Sequence, residues 1–137
     1  CIEKNLGMTI PQIFEEKGEN FFRKIEEKTT LKILKKNKIV VSLGGGSFLN
    51  NNIRKVILKN HISFWLRWDG QTLINRIKKS KKRPLAFGVN DSHLINLIKK
   101  RSNIYSKSLY QINCDGLSKS EVVKKVIAIY ENKKNNN

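Results

Sequence analysis

Arginines occupy distinctive places in this 137-residue chain, and their side chains suit the binding of carboxylates or phosphates. Arg23 lies in GENFFRKIE, Arg76 in LINRI, Arg83 in KKRPLA and Arg101 in KKRSNIYS. A planar guanidinium pairs with a carboxylate or phosphate through two parallel hydrogen bonds, which lysine cannot copy. Glu26 follows Arg23 by one helical turn and is expected to hold the guanidinium in place. Each arginine taken singly is better explained as a solvated helix residue, so only the joint arrangement points to a site.

A second chemical signal is the triplet Gly44, Gly45 and Gly46, which directly follows the apolar run IVVSL at residues 39–43. Glycine loses the most backbone entropy on folding, so three together in a compact domain need a reason. A tight turn between a strand and a helix would need one or two glycines. The triplet therefore favours close approach of a ligand to the backbone, with a purely structural turn as the alternative.

The composition narrows the class of protein. With 39% hydrophobic residues the chain is not of the disordered class. The net charge of +17 favours an anionic partner, and a lysine- and asparagine-biased proteome explains it equally well. Cys1 and Cys114 lie far apart without metal-ligand spacing, which fits a reducing cytoplasm. No apolar stretch reaches the roughly 18 residues of a membrane helix.

The hydrophobic pattern predicts one α/β domain. Short β-branched or aromatic runs predict buried strands, and longer periodic stretches between them predict helices. Alternation of the two predicts βαβ units and a parallel sheet, whose ligands bind beyond the carboxyl ends of the strands. The predicted strands are residues 38–43, 61–68 and 109–114. The predicted helices are residues 11–18, 19–37, 51–60, 69–80, 91–108 and 118–134, several with Asn, Asp or Ser caps.

The motifs together resemble shikimate kinase. They are G-E-x-x-F-R-x-x-E, the glycine triplet, R-P-L and R-x-x-x-Y, in this order, and the resemblance covers residues 1 to about 130. It implies a three-layer P-loop nucleoside-monophosphate-kinase-like fold with a parallel sheet. It also implies ATP- and Mg²⁺-dependent phosphorylation of the 3-hydroxyl of shikimate, a step of chorismate and aromatic amino acid biosynthesis. Both the fold and the activity are expectations that follow from the resemblance.

The resemblance also implies roles for individual residues. Arg23 and Arg101 would bind the shikimate carboxylate, and Gly44–Gly46 would line the shikimate pocket with their backbone amides. Arg83 would sit in a lid loop at about residues 79–91 and reach the transferred phosphate as the catalytic residue. Arg76 would pack near the adenine of ATP. No residue of this chain is expected to ligate the metal.

The sequence departs from the family pattern in ways that matter. No P-loop G-x-x-x-x-G-K-[ST] and no Asp-x-Asp are found, although the family places both before the region that matches. The chain is therefore expected to be a partial domain over 1–137, lacking the first strand, the P-loop and most of the second strand, and inactive alone. RPLA replaces R-P-L-L, and CDGLSKSE lacks a proline that many relatives place near adenine. A frayed basic tail is expected at about residues 131–137.

Two other functions compete with this interpretation. A basic nucleic-acid-binding domain would use the charge and the aromatic residues Phe64, Trp65 and Trp68. Those aromatics fall in or beside a predicted core strand, and the basic residues are spread over every helix, which argues against it. A different P-loop small-molecule kinase is the other alternative. The favoured interpretation expects a cytoplasmic monomer that binds shikimate and ATP, but neither nucleic acid nor membranes.

Overall fold

The computed structural model describes residues 2–79 and 90–135, which form a helix-rich structure around a small parallel sheet. Helices α1 to α3 precede the first strand, and a short 3-10 turn at Ser47–Leu49 lies before α3. Two helices, α4 and α5, separate the strands, and α6 follows the second strand. The elements are α1 Ile2–Leu6, α2 Ile10–Leu34, α3 Asn51–Asn60, β1 Phe64–Arg67, α4 Gly70–Lys79, α5 Asp91–Tyr105, β2 Tyr110–Asn113 and α6 Lys119–Asn135.

Helix α2 carries part of the candidate site and begins with a capping box. The side chain of Thr9 accepts a hydrogen bond from the backbone N–H of Gln12, whose side chain accepts one from the N–H of Thr9. Gly18 interrupts the helix with φ 79° and ψ 166°, a conformation open almost only to glycine. The kink separates the two predicted helices 11–18 and 19–37, and it starts the segment that carries Arg23.

Polar caps begin the later helices, as the sequence predicts. Asn50 accepts from two backbone N–H groups of α3, and Asn90 accepts from the N–H of His93 in α5. Asp69 accepts from the N–H of Thr72 in α4. Ser118 accepts from the N–H of Glu121, whose carboxylate returns to Ser118 in a second capping box. These contacts satisfy donors that a helix leaves free at its start.

The sheet consists of β1 and β2 in parallel, with Phe64 paired to Tyr110 and Arg67 paired to Asn113. Both strands were predicted at these places. A crossover through α4 and α5 joins them, as the parallel arrangement requires. Ile112, Cys114 and Val122 form a buried cluster beneath the sheet and α6, with Trp68 packed against it.

The predicted buried strand at residues 38–43 is wrong. This segment has no strand conformation, Val40 is fully exposed and Ile39 is 43% exposed. Among the described residues only β1 and β2 pair, so no neighbouring backbone offers hydrogen bonds to this apolar run. A β-branched run becomes a strand only where such a partner exists. The described sheet therefore has two of the three predicted strands.

A second buried cluster fixes the elements around the glycine triplet. It contains Leu34 of α2, Phe48 of the 3-10 turn, and Ile53 and Ile57 of α3, with Tyr105 of α5 packed against it. The 3-10 turn directly follows the glycines, so its burial among three helices holds the triplet at the junction of α2, α3 and α5.

Helical structure reaches into both ends of the loop predicted at 79–91. Helix α4 ends at Lys79 and α5 begins at Asp91, and Lys78 pairs with Asp91 at 2.5 Å. Residues 80–89 of that loop, with Arg83, lie outside the described residues. Helix α6 extends to Asn135, so residues 131–135 of the expected tail are helical. No helix in the described ranges is long and apolar enough to cross a membrane.

Candidate functional site

The buried carboxylate of Glu26 connects α2 to the glycine turn. Only 7% of this residue is exposed, and its two oxygens have different partners. Oε2 accepts a hydrogen bond from Nη1 of Arg23 at 2.7 Å. Oε1 accepts one from the hydroxyl of Ser47 at 2.8 Å, and Ser47 is only 3% exposed. A buried carboxylate needs such partners, and here they also fix its orientation.

Arg23 is held by two carboxylates on its own helix. Nε and Nη2 both donate to Oε1 of Glu19, at 3.2 Å and 3.1 Å, while Nη1 donates to Glu26. Burial disfavours the charged guanidinium, but hydrogen bonds and charges from Glu26 and Glu19 outweigh it and raise the pKa of Arg23. The side chain is therefore fully charged and confined to one orientation.

The glycine triplet makes room for protein side chains. A Cβ atom at Gly46 would lie 2.2 Å from Nη1 of Arg23 and 2.7 Å from its Cζ, which no real structure tolerates. A Cβ atom at Gly45 would lie 3.4 Å from Nη1 of Arg101, an ordinary van der Waals contact. The question raised by the triplet thus has a structural answer at Gly46: a guanidinium lies against its backbone.

Arg101 of α5 reaches the same turn from the opposite side. Its Nε is buried and has no hydrogen-bond partner, and no carboxylate in the described part of the chain pairs with this residue. Tyr105, one turn later on α5, donates from its hydroxyl to the carbonyl oxygen of Gly45. A buried, unpaired donor on a charged side chain is costly, and an anionic ligand would satisfy it.

The two arginines meet at one pocket of about 430 Å³. Arg23 and Arg101, far apart in sequence, both line it, together with Gly46. The other lining residues are Glu19, Leu49, Asn50 and Leu97. The pocket has the size of a small-molecule site and offers two guanidiniums, which suits a small carboxylate or phosphate compound.

Several contacts of the site were missed at the sequence level. The carboxylate of Glu27 accepts from the side-chain amides of Asn50 and Asn52 at 2.7 Å and 2.8 Å, which lowers its pKa. This contact ties the start of α3 to α2. The hydrogen bonds of Ser47 and Tyr105 were also missed. Ser47 directly follows the triplet, and Tyr105 belongs to the R-x-x-x-Y motif. Their position in or beside the motifs was the sequence feature that could have indicated these contacts.

Arg76, which was predicted to contact the nucleotide, lies away from this pocket. Arg76 is not among the residues that line the pocket, and its guanidinium stacks over the ring of Trp68 at 4.5 Å from the centroid. Arg83 lies outside the described residues. Trp65 packs edge-on against Tyr105, so both tryptophans have partners inside the protein. No group of three or more His, Cys, Asp or Glu in the described ranges could hold a metal ion.

Comparisons with known proteins agree on one family. The sequence model of the shikimate kinase family matches residues 1–131. A shikimate kinase of Bartonella henselae is 38% identical over 127 residues, which are 92% of this chain and 60% of that protein. One of Thermodesulfovibrio yellowstonii is 37% identical over 131 residues, 95% of this chain and 76% of that protein. The chain thus spans about 60% of the length of the Bartonella relatives.

Solved structures give the same result for the fold. The shikimate kinase from Acinetobacter baumannii in complex with shikimate superposes with a TM-score of 0.88 at 26% identity, covering 97% of this chain and 75% of that chain. The shikimate kinase from Aquifex aeolicus gives 0.84 at 32% identity, covering 97% and 78%. The predicted fold class is confirmed by these neighbours.

The contact between Gly46 and Arg23 predicts that a methyl group added at Gly46 lowers the stability of the fold. Gly46→Ala should displace the guanidinium, leave Glu26 without its charged partner, and lower the free energy of unfolding by about 1–3 kcal/mol. Chemical denaturation measures the loss. Gly70→Ala is the matched control, because a Cβ there meets nothing within 4 Å.

A double-mutant cycle separates the clash from general strain in the turn. In an Arg23→Ala background the obstacle is absent, so Gly46→Ala should cost much less than in the wild type. An equal cost in both backgrounds would show that the turn itself requires glycine.

Proposed function

Because the chain belongs to the shikimate kinase family, we propose that the protein transfers the γ-phosphoryl group of ATP to the 3-hydroxyl of shikimate. The pocket at the glycine turn would be the shikimate site. In the reaction the shikimate hydroxyl oxygen forms a bond to the γ-phosphorus, the bond to ADP breaks, and the hydroxyl proton leaves. The product, shikimate 3-phosphate, serves chorismate and aromatic amino acid biosynthesis.

One observation carries the assignment of the pocket: Arg23 and Arg101 converge on it, and the Nε of Arg101 is buried without a partner. Shikimate carries a single carboxylate, which both guanidiniums would bind. Charge-assisted hydrogen bonds of this kind are short, strong and directional. They would fix one end of the ring, so that the rest of it lies over the glycine turn.

Arg76 is assigned to the nucleotide. Its guanidinium already has one face covered by Trp68. Arg76 is exposed, so its opposite face would stack on a base, and Trp68 would support a flat platform for adenine. This arrangement offers a contact for the purine in a chain whose CDGLSKSE segment lacks the proline found in many relatives.

Arg83 is assigned to the transferred phosphoryl group. Phosphoryl transfer spreads negative charge over the equatorial oxygens, and catalysis consists largely of positioning and electrostatic stabilisation. An arginine in a loop that closes over the site would supply that charge and exclude water. Mg²⁺ would neutralise charge on the phosphates, with ligands from outside the described residues. A cytoplasmic monomer without affinity for nucleic acid or membranes completes the proposal.

We call Arg23 and Arg101 together the carboxylate clamp. Its role is tested in the complete translated protein that contains this chain. Arg23→Lys keeps the charge and loses the planar fork, so shikimate binding should weaken by about 1.5–3 kcal/mol. Arg101→Ala should weaken it similarly. The double variant should lose less than the sum of the two, because both groups bind one carboxylate. Calorimetric titration with shikimate measures all three affinities.

A control variant completes this test. Arg54→Lys changes an arginine that donates to the carbonyl oxygens of Phe48 and Leu49 at 3.0 Å and 2.9 Å and does not line the pocket. It should leave shikimate affinity unchanged. If Arg23→Lys and Arg101→Ala both bind shikimate as tightly as the wild type, the pocket is not the carboxylate site.

The stacking of Arg76 on Trp68 predicts effects of different size on KM for ATP when each residue is replaced. Arg76→Ala should raise KM for ATP several-fold and leave shikimate affinity unchanged. Trp68→Leu keeps Arg76 but removes its stacking partner, so its effect on ATP should be smaller and in the same direction. Steady-state kinetics with each substrate varied measures both. A larger effect on shikimate than on ATP would contradict the assignment.

Arg83 should act on the chemical step. Arg83→Ala should lower kcat and kcat/KM together, because the interaction is made mainly in the transition state. Shikimate affinity should change little, since the carboxylate clamp lies on α2 and α5. Unchanged kcat with only a higher KM for ATP would make Arg83 a nucleotide-binding residue instead of a catalytic one.

A further inference from the structure

We infer that Ser47 is a positioning residue for substrate binding, which acts through Glu26 on Arg23. The inference rests on the proposed function, because it takes Arg23 as the group that binds the shikimate carboxylate. Ser47 itself does not line the pocket. Its role would be to fix the carboxylate that in turn fixes the guanidinium.

Three side chains form a continuous row of hydrogen bonds from the protein interior to the pocket. The hydroxyl of Ser47 donates to Oε1 of Glu26 at 2.8 Å, and Nη1 of Arg23 donates to Oε2 at 2.7 Å. Ser47 and Glu26 are 3% and 7% exposed, so water cannot easily replace either contact. Only Arg23, the outermost member, lines the pocket.

The position of the Ser47 hydroxyl is set by the turn that carries the glycines. The backbone N–H of Ser47 donates to the carbonyl of Gly44 at 3.0 Å, and its own carbonyl accepts from the N–H of Asn50 at 3.2 Å. The serine therefore transmits the position of the turn to Glu26. Through it, the glycine backbone and the guanidinium of Arg23 that lies against it are held in one arrangement.

Glu26 loses its hydrogen bond to the buried Ser47 when the hydroxyl is removed. An unpaired oxygen of a buried carboxylate is costly, so the group would turn toward other donors. Arg23 would then keep its contacts with the more exposed Glu19 and lose the one that sets its angle to the pocket. A displaced Arg23 guanidinium would bind the shikimate carboxylate less well, both in the ground state and in the transition state of the reaction.

Ser47→Ala in the complete translated protein is the direct test. Shikimate affinity by titration should fall about threefold to tenfold, in the range of a charge-assisted hydrogen bond lost indirectly. KM for shikimate should rise by the same factor, with kcat and KM for ATP unchanged, as expected for lost uniform binding. Ser63→Ala is the matched control: it removes a serine oxygen that accepts from the N–H of Leu109 at 2.9 Å, away from the pocket. It should leave shikimate binding unchanged.

A double-mutant cycle with Glu26→Gln shows whether Ser47 acts through Glu26. Glu26→Gln should weaken shikimate binding, and adding Ser47→Ala should then cause little further loss. Additive losses, or a fall in kcat instead of affinity, would overturn the inference. The same holds if Ser47→Ala binds shikimate normally while Arg23→Lys does not. If Arg23→Lys also binds normally, the proposed carboxylate site itself fails.

Discussion

The geometry of the pocket depends on the hydrogen bonds of one buried group, the carboxylate of Glu26. One of its oxygens holds Arg23 and the other holds Ser47, so a single side chain connects α2 to the turn before α3. A charge is expensive to bury, and the cost is offset only when every oxygen has a donor. The same requirement that satisfies Glu26 therefore fixes the guanidinium and the glycine turn relative to each other.

The turn can approach Arg23 closely only because Gly46 has no side chain. At Gly45 the constraint is looser, since Arg101 and Tyr105 lie near the position of a Cβ without overlapping it. The triplet thus serves two neighbours: one glycine accommodates an arginine, and the next presents its carbonyl to a tyrosine. Glycines that motifs alone would assign to a ligand can therefore be required by neighbouring protein side chains.

Local signals in the sequence predicted the helices and the two paired strands, because caps and hydrophobic periodicity depend on nearby residues. The strand at 38–43 was predicted wrongly, because a strand also needs a neighbouring backbone, which local composition does not encode. The motifs singled out Arg23, Arg101 and the glycines. They did not indicate Ser47, the contact of Glu27 with Asn50 and Asn52, or the stacking of Arg76 on Trp68. The contacts of Ser47 and Glu27 join elements more than 20 residues apart, so only the folded chain reveals them.

The two arginines at the pocket differ in how far carboxylates balance their charge. Arg23 is paired with two carboxylates, so its charge is largely balanced before any ligand arrives. Arg101 has no such partner in the described chain, and its charge is free to attract an anion. Arg23 therefore contributes mainly a fixed geometry, and Arg101 mainly an uncompensated charge. The net charge of +17 adds a long-range attraction that salt screens over about 10 Å, whereas the partly buried pair at the pocket is screened much less. Selectivity for a carboxylate of one shape must then come from the pocket, because the surface charge attracts every anion alike.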